Sequence, residues 1–245
     1  MSKAVAIIPA RWGSTRFPGK ALHPIAGKPL IRHVWERTMA AHALEGVIIA
    51  TDDMRIADAA FNFGAEVSLT SPKHLSGTDR IAEVAKKLPS SITHVINVQG
   101  DEPVVDPALI NRLVKTLVAN SKIPMITAAN HFAKNEDISN PNAVKVVLDR
   151  ASDALYFSRS PIPFPRGSET PAVHYRHQGI YGYSRKFLQK FVQWKPGLLE
   201  KIEQLEQLRA LENGAKIRVL IAKKISIGVD TPDDVKFVTA ILKKL

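Results

Sequence analysis

Residues 47–69 read VIIATDDMRIADAAFNFGAEVSL. Val47 to Ala50 is a short apolar run of strand length. Asp53 to Phe63 follows, with Ile56, Ala59, Ala60 and Phe63 spaced for one face of a helix. Val67 to Leu69 is strand-like again. Strand, helix and strand in direct succession is the pattern that lays strands parallel with helices packed over them.

The alternation continues on both sides of this stretch. Ala4 to Pro9 reads as a strand. Leu30 to Ala43 reads as a helix with Ile31, Val34, Trp35 and Thr38 on one side. Asp79 to Leu88 is a predicted helix, His94 to Val98 a strand, and Pro107 to Val118 a helix whose Pro107 suits a first turn. The expected fold is α/β, a mainly parallel twisted sheet with helices on both faces. In such sheets ligands sit beyond the carboxyl ends of the strands.

The second half is less regular. Val144 to Leu148 and Ala154 to Phe157 are predicted strands. Pro161, Pro163, Pro165 and Pro171 exclude a regular helix or central strand from Ser160 to Pro171. That segment reads as a loop over a site or an arm to a partner subunit. Tyr175 to Tyr183 is strand-like. Leu198 to Glu212 is predicted as one amphipathic helix, its stripe of Leu198, Ile202, Leu205, Leu208 and Leu211 facing the core and its end marked by Asn213-Gly214. Ile217 to Ala222 is a strand, and Asp233 to Leu245 a last helix. There is no repeat or linker, so a single domain over 1–245 is expected.

The chain has 245 residues, 45% of them hydrophobic, and no cysteine. Disulfides and Cys-ligated metal centres are excluded, which fits a reducing cytoplasm. The first apolar run is too short for a signal-peptide core, and no run approaches the ~20 residues of a membrane span. A soluble, cytoplasmic protein without membrane insertion is expected. The net charge is +11, from 34 basic and 23 acidic residues. The positives are scattered and no nucleic-acid-binding motif accompanies them. Most belong to a solvated basic surface, and the remaining field suits small anionic substrates.

Five groups of residues carry chemistry. IIPARWGSTRFPGKAL, residues 7–22, places Arg11, Gly13, Ser14, Thr15, Arg16, Gly19 and Lys20 directly after the first strand. Backbone donors, hydroxyls and three cations are what a triphosphate needs. Lys20 is followed by Ala21, so this is not a Walker A loop. HVINVQGDEP, residues 94–103, carries Asp101 to the end of a strand, where a carboxylate can hold Mg²⁺ against phosphates. Gly100 would let the backbone pass close to a ligand. Asp101 or Glu102 would otherwise only cap the next segment. IGVDTPDDV, residues 227–235, opens a helix with Thr231 or Asp230 as N-cap and Pro232 in its first turn, and offers Asp230 alternatively as a second metal ligand. Ser76, Gly77 and Thr78 form a turn into a helix, suited to a nucleobase or ribose or to plain N-capping by Thr78. Arg159, His177, Tyr181, Glu206 and Gln207, each ordinary alone, suit as a set a ligand with a carboxylate and many hydroxyls.

With these residues the sequence resembles the 3-deoxy-manno-octulosonate (Kdo) cytidylyltransferases. The matching stretches are IIPARWGSTRFPGKAL, IIATDD, HLSGTDRIAE, VINVQGDEP, NPNAVKVVLD, ALYFSR, RHQGIYGY, LEKIEQLEQLRALENG and GVDTPDD. They run in family order from residue 7 to residue 234, essentially the whole chain. The resemblance implies a nucleotide-diphospho-sugar transferase fold and the reaction of CTP with Kdo to give CMP-Kdo and pyrophosphate. It further implies Mg²⁺ dependence, a homodimer and a role in lipopolysaccharide biosynthesis. A nucleotide-binding part would span about 1–120 plus 215–245, and a sugar-binding and dimer part about 121–214. Arg11, Ser14, Arg16 and Lys20 would meet the triphosphate, with Ala10, Ser76, Arg80 and Gln99 around the nucleoside. Asp101 and Asp230 would hold metal and, with Lys20 and Arg11, form the catalytic set. Arg159, His177, Tyr181, Glu206 and Gln207 would contact the sugar acid.

Trp12-Gly13 stands where Tyr-Ala is common in the family. The alternative substrates are an amino-Kdo or a sialic-acid-like sugar. A glycosyltransferase would be expected to carry a D-x-D pair, which Asp101-Glu102-Pro103 does not supply.

Overall fold

The computed structural model describes residues 3–13, 17–133, 136–167 and 172–244. The elements run β1 (Lys3–Ala10), β2 (Pro24–Ile25), β3 (Lys28–Pro29), α1 (Leu30–Met39), β4 (Val47–Thr51), α2 (Met54–Asn62), β5 (Glu66–Leu69) and α3 (Gly77–Lys87). Then come β6 (Ile92–Asn97), α4 (Pro107–Ala119), β7 (Met125–His131), β8 (Lys145–Leu148), β9 (Ala154–Ser158) and β10 (Tyr175–Ser184). The chain closes with α5 (Arg185–Phe191), α6 (Leu198–Glu203), α7 (Leu208–Glu212), β11 (Ile217–Ile221) and α8 (Pro232–Leu242).

The main sheet has the order β11-β7-β10-β6-β1-β4-β5, with β8 added to β10 and β9 to β8. β6, β1, β4 and β5 are parallel neighbours, as are β7 and β11. β10 runs antiparallel between β6 and β7. Helices cover both faces, as expected. The strands alternate sides with the two-residue period of the pleat. Ala6, Ile8 and Ile96 pack beneath Ile31, Val34, Leu113 and Leu117 of α1 and α4. Val5, Ile7 and Val95 pack on the other face against Ile81 of α3, Phe187 and Phe191 of α5, and Leu208 of α7. A third cluster joins Ile25 and Leu30 to Val229 and Val238, seating α8 beside the β2–β3 hairpin. No described helix is long and apolar enough to cross a membrane.

The single helix expected over Leu198–Glu212 is two helices. Gln204 takes a left-handed conformation, φ 53°, and breaks it. Leu205 and Leu208 are buried, but Leu198 and Ile202 are 69% and 68% exposed, so half of the apolar stripe leaves the core. Polar contacts from distant segments accompany the break. Glu203 accepts from Ser158 Oγ at 2.6 Å and from the Arg159 amide at 2.9 Å, while Glu206 accepts from the Thr78 hydroxyl. Helical periodicity carries no trace of those bonds. The helix expected over Leu30–Ala43 stops at Met39, and the Ala43 amide is taken by Asn111 Oδ1 of α4 at 2.8 Å.

Gly182 lies on β10 where the sheet meets α4. A Cβ there would stand 2.6 Å from Leu117 Cδ1, 2.8 Å from Ile126 Cγ2 and 2.9 Å from Ile96 Cδ1. Overpacking a close-packed core costs about 1–3 kcal/mol. Gly182→Ala should lose stability of that order in urea unfolding, with no change in m-value.

Candidate active site

Parallel strands β1, β4 and β6 end side by side, and the segments that leave them form the site. Pro9 and Ala10 end β1 and Arg11 follows it, Gln99, Gly100 and Asp101 follow β6, and His74 to Gly77 lead into α3. With Lys20, Ala21, Arg80 and Asp230 they line a cavity of about 290 Å³. Of the nucleotide and catalytic residues expected from the sequence, Ala10, Arg11, Lys20, Ser76, Arg80, Gln99, Asp101 and Asp230 all line it. Ser14 and Arg16 lie outside the described residues.

Lys20 organises the floor. Its Nζ donates to Asp101 Oδ2 at 2.7 Å and reaches Asp230 Oδ1 at 3.5 Å. The two carboxylates therefore converge although the sequence separates them widely. A main-chain bond reinforces the junction, the Val229 amide donating to the Asp101 carbonyl at 2.8 Å. Asp230 is not the cap of α8. Asp234 Oδ2 takes the Asp230 and Thr231 amides at 2.9 and 2.8 Å, and the Asp230 carboxylate goes to Lys20. Nor do Asp101 and Glu102 cap α4, a task done by Asp106.

Two further expectations change. The absent Cβ of Gly100 makes room for protein: a Cβ would stand 2.6 Å from the Pro9 carbonyl oxygen. It lets the ends of β1 and β6 touch, and with them the two segments that carry Arg11 and Asp101. The cap of α3 is Ser76, whose Oγ accepts from the Asp79 amide at 3.0 Å. Thr78 instead turns its hydroxyl to Glu206. Arg80 is buried and held by Thr70 and by Asp52, the latter at 3.1 Å.

The five residues expected at the sugar do not line this cavity. Four of them belong to a neighbouring layer. His177 and Tyr181 are tilted rings 5.4 Å apart on β10. Burial pushes the Tyr181 hydroxyl up, and the carboxylates of Glu206 and Glu102 act in the same direction. Glu206 is raised by burial, against the opposing pull of Thr78, Arg209 and Ser76. Ser76, which lines the cavity, gives its hydroxyl proton to Asp79 Oδ2 at 2.9 Å. Gln207 is 4% exposed and its Nε2 has no hydrogen-bond partner, a buried donor left available to a ligand. Arg159 stands apart. It donates to the carbonyls of Glu203, Pro141 and Gln204 at 2.7, 2.9 and 3.3 Å, leaving one N–H on each terminal nitrogen.

Sequence reasoning weighed Glu102 only as a cap and gave His74 and Leu75, within HLSGTDRIAE, no role of their own. Glu102 accepts from Ser226 Oγ at 2.7 Å, and burial pushes its carboxyl up to about 7. Its neighbour Asp101 drew the attention in QGDEP. His74 and Leu75 line the cavity from the turn that carries Ser76, and that adjacency was the available signal.

The site fits a magnesium–phosphate complex. Among the described residues no three potential ligands cluster, so the protein offers two carboxylates. Mg²⁺ is commonly bound this way, by one or two carboxylates with phosphate and water oxygens completing its shell.

Comparison with known proteins shows the chain's family. A family model described as cytidylyltransferase matches residues 5–218. A 3-deoxy-manno-octulosonate cytidylyltransferase of Syntrophobacter fumaroxidans is 50% identical over 242 residues, covering 98% of this chain and 97% of the relative. One of Geobacter sulfurreducens is 48% identical over 248 residues, covering 97% and 98%. A solved structure of CMP:2-keto-3-deoxy-manno-octonic acid synthetase complexed with CTP superposes with a TM-score of 0.94 at 41% identity, covering 99% of each chain.

The environment of His177 generates a pH dependence. Its Nε2 lies 3.0 Å from Thr127 Oγ1, and burial lowers its pKa to about 3. An unfolded histidine titrates near 6.5. Below that pH the unfolded chain takes up a proton that the folded ring refuses, so His177 costs stability as pH falls from about 6.5 towards 3. At pH 5 the cost is about 2 kcal/mol. Urea unfolding at pH 7 and pH 5 should show a smaller acid loss in His177→Asn than in the parent protein.

Proposed function

The chain belongs to the 3-deoxy-manno-octulosonate cytidylyltransferase family, and from this premise we infer how its site joins CMP to Kdo. It is a nucleotidyltransferase: CTP and Kdo give CMP-Kdo and pyrophosphate, a step of lipopolysaccharide biosynthesis. The observation that carries the reading is the convergence of Asp101 and Asp230 on Lys20 at the floor of the cavity.

In this reading Ala10, Ser76, Arg80 and Gln99 hold the nucleoside. Arg11, Arg16 and Lys20 neutralise the triphosphate, with Ser14 as a hydroxyl donor. Arg159 takes the sugar carboxylate through its remaining N–H groups. His177, Tyr181, Glu206 and Gln207 order the hydroxyls of the sugar. The neutral His177 ring and the un-ionised Tyr181 hydroxyl suit a polyol, since each can donate to or accept from a hydroxyl. Asp101 and Asp230 would hold Mg²⁺, which when bound neutralises phosphate charge and makes the sugar hydroxyl more acidic.

The anomeric oxygen attacks the α-phosphorus, and pyrophosphate leaves on the opposite side. No covalent enzyme intermediate is needed. The residues around the cavity work by holding the two substrates in line and by presenting positive charge where the leaving phosphates gain negative charge. A homodimer belongs to the same reading, supported by the exposed Leu155, Leu198 and Ile202. A cytoplasmic setting is supported by the cysteine-free composition.

Asp230→Asn tests the reading. The N-cap of α8 is Thr231, closed into a capping box by Asp234, so the variant should keep its melting temperature within a few degrees. Losing one electrostatic group from such a site costs about a hundredfold or more in turnover. Pyrophosphate release with CTP, Mg²⁺ and Kdo should fall by that factor, and Asp101→Asn should behave alike. Near-normal turnover of Asp230→Asn with unchanged Mg²⁺ demand would remove Asp230 from the mechanism.

A further inference from the structure

Arg11 and Lys20 stand at the two ends of the loop after β1, and both line the cavity. Their spacing depends on what holds the mouth of that loop. The Gly19 amide donates to the Trp12 carbonyl at 3.2 Å, closing the mouth through the main chain. Gly19 has φ 69°, in the left-handed region that favours glycine. A Cβ there would stand 3.1 Å from Trp12 Cη2 and 3.2 Å from Cζ2, so the indole packs directly on the bare Cα.

A second element holds the indole. The Arg55 guanidinium lies over the Trp12 ring, 3.5 Å from its centroid. Arg55 is itself fixed by a fork to Asp53, Nε to Oδ1 at 2.9 Å and Nη2 to Oδ2 at 2.6 Å. Asp53 is the N-cap of α2, so the fork is anchored to a helix end packed in the core. The Arg55 side chain is 57% exposed, and ion pairs so exposed contribute little to global stability. What the arrangement does is restrict where the indole can go.

We propose that Asp53, Arg55 and Trp12 form a clamp that sets the loop mouth and thereby the spacing of Arg11 and Lys20 for the triphosphate. None of the three lines the cavity, so they are positioning residues for the nucleotide half of the site. The proposal rests on the reading of CTP as substrate. Aligned charges accelerate a displacement only when held at fixed separation, and a long cation on a loose loop loses that advantage. The sugar side draws its residues from β9, β10 and the α6–α7 region, away from the clamp.

The test uses the full chain, with pyrophosphate release followed while CTP and Kdo are varied separately. A cation–π contact of this kind corresponds to about a fivefold effect. Trp12→Ala and Arg55→Ala should each raise KM for CTP about fivefold, with KM for Kdo and the melting temperature little changed. Trp12→Phe and Arg55→Lys should recover part of the loss. The double variant should be no worse than Trp12→Ala alone, because Arg55 acts through the indole. An unchanged KM for CTP in both alanine variants overturns the proposal. So does a parallel rise in both KM values with a fall in melting temperature, the mark of a merely structural role. Absence of CTP-dependent turnover in the parent protein would instead defeat the functional reading, which separates the two failures.

Discussion

Two carboxylates brought to one cavity repel each other, and the ammonium of Lys20 offsets that cost. Its bonds of 2.7 Å to Asp101 and 3.5 Å to Asp230 join three parts of the chain: the loop after β1, the turn after β6 and the segment before α8. The neighbouring architecture serves this junction. Gly100 lets the β1 and β6 ends touch, the Val229 amide binds the Asp101 carbonyl, and the Ile25–Val229–Val238 cluster seats α8 beside the site. A triphosphate with its cation fits the same place, since it meets the carboxylates with positive charge and the lysine with negative.

The neighbouring layer of His177, Tyr181, Glu206 and Gln207 follows a different physical rule. Its groups lie in protein that disfavours ionisation, so His177 stays neutral and Tyr181 stays protonated. Glu206 keeps the hydrogen bond from Thr78 and the nearby charge of Arg209 against the same pressure. Gln207 leaves a buried donor unpaired. The charged floor and the weakly ionised layer meet at the start of α3, where Ser76 lines the cavity and Thr78 binds Glu206.

The polar caps show why the site can carry exposed carboxylates without losing helices. Each helix start near the cavity has its own acceptor: Ser76 for α3, Asp106 for α4 and Asp234 beside Thr231 for α8. Asp101 and Asp230 are thereby released from capping. Substituting them leaves the helix caps in place.

The amino-acid sequence by itself determined the parallel α/β order, because alternating apolar runs and helical stripes are local and each strand or helix announces its own period. Residues from four of the motifs that the sequence singled out, the loop after β1, QGDEP, SGTDR and GVDTPDD, line one cavity, although GVDTPDD leads into α8 and ends no strand. What only the tertiary structure decided was pairing. Ser76 rather than Thr78 caps α3, because Thr78 turns to Glu206, and Thr231 rather than Asp230 caps α8, because the Asp230 carboxylate meets Lys20. The break at Gln204 accompanies bonds from Glu203 to β9 and from Glu206 to α3 that no helical period encodes. The three carbonyls that hold Arg159 and the indole under Arg55 are contacts between segments remote in sequence or chosen by side-chain direction. Periodicity records which face of an element is apolar, and it is silent on which polar group each side chain will meet once the faces have packed.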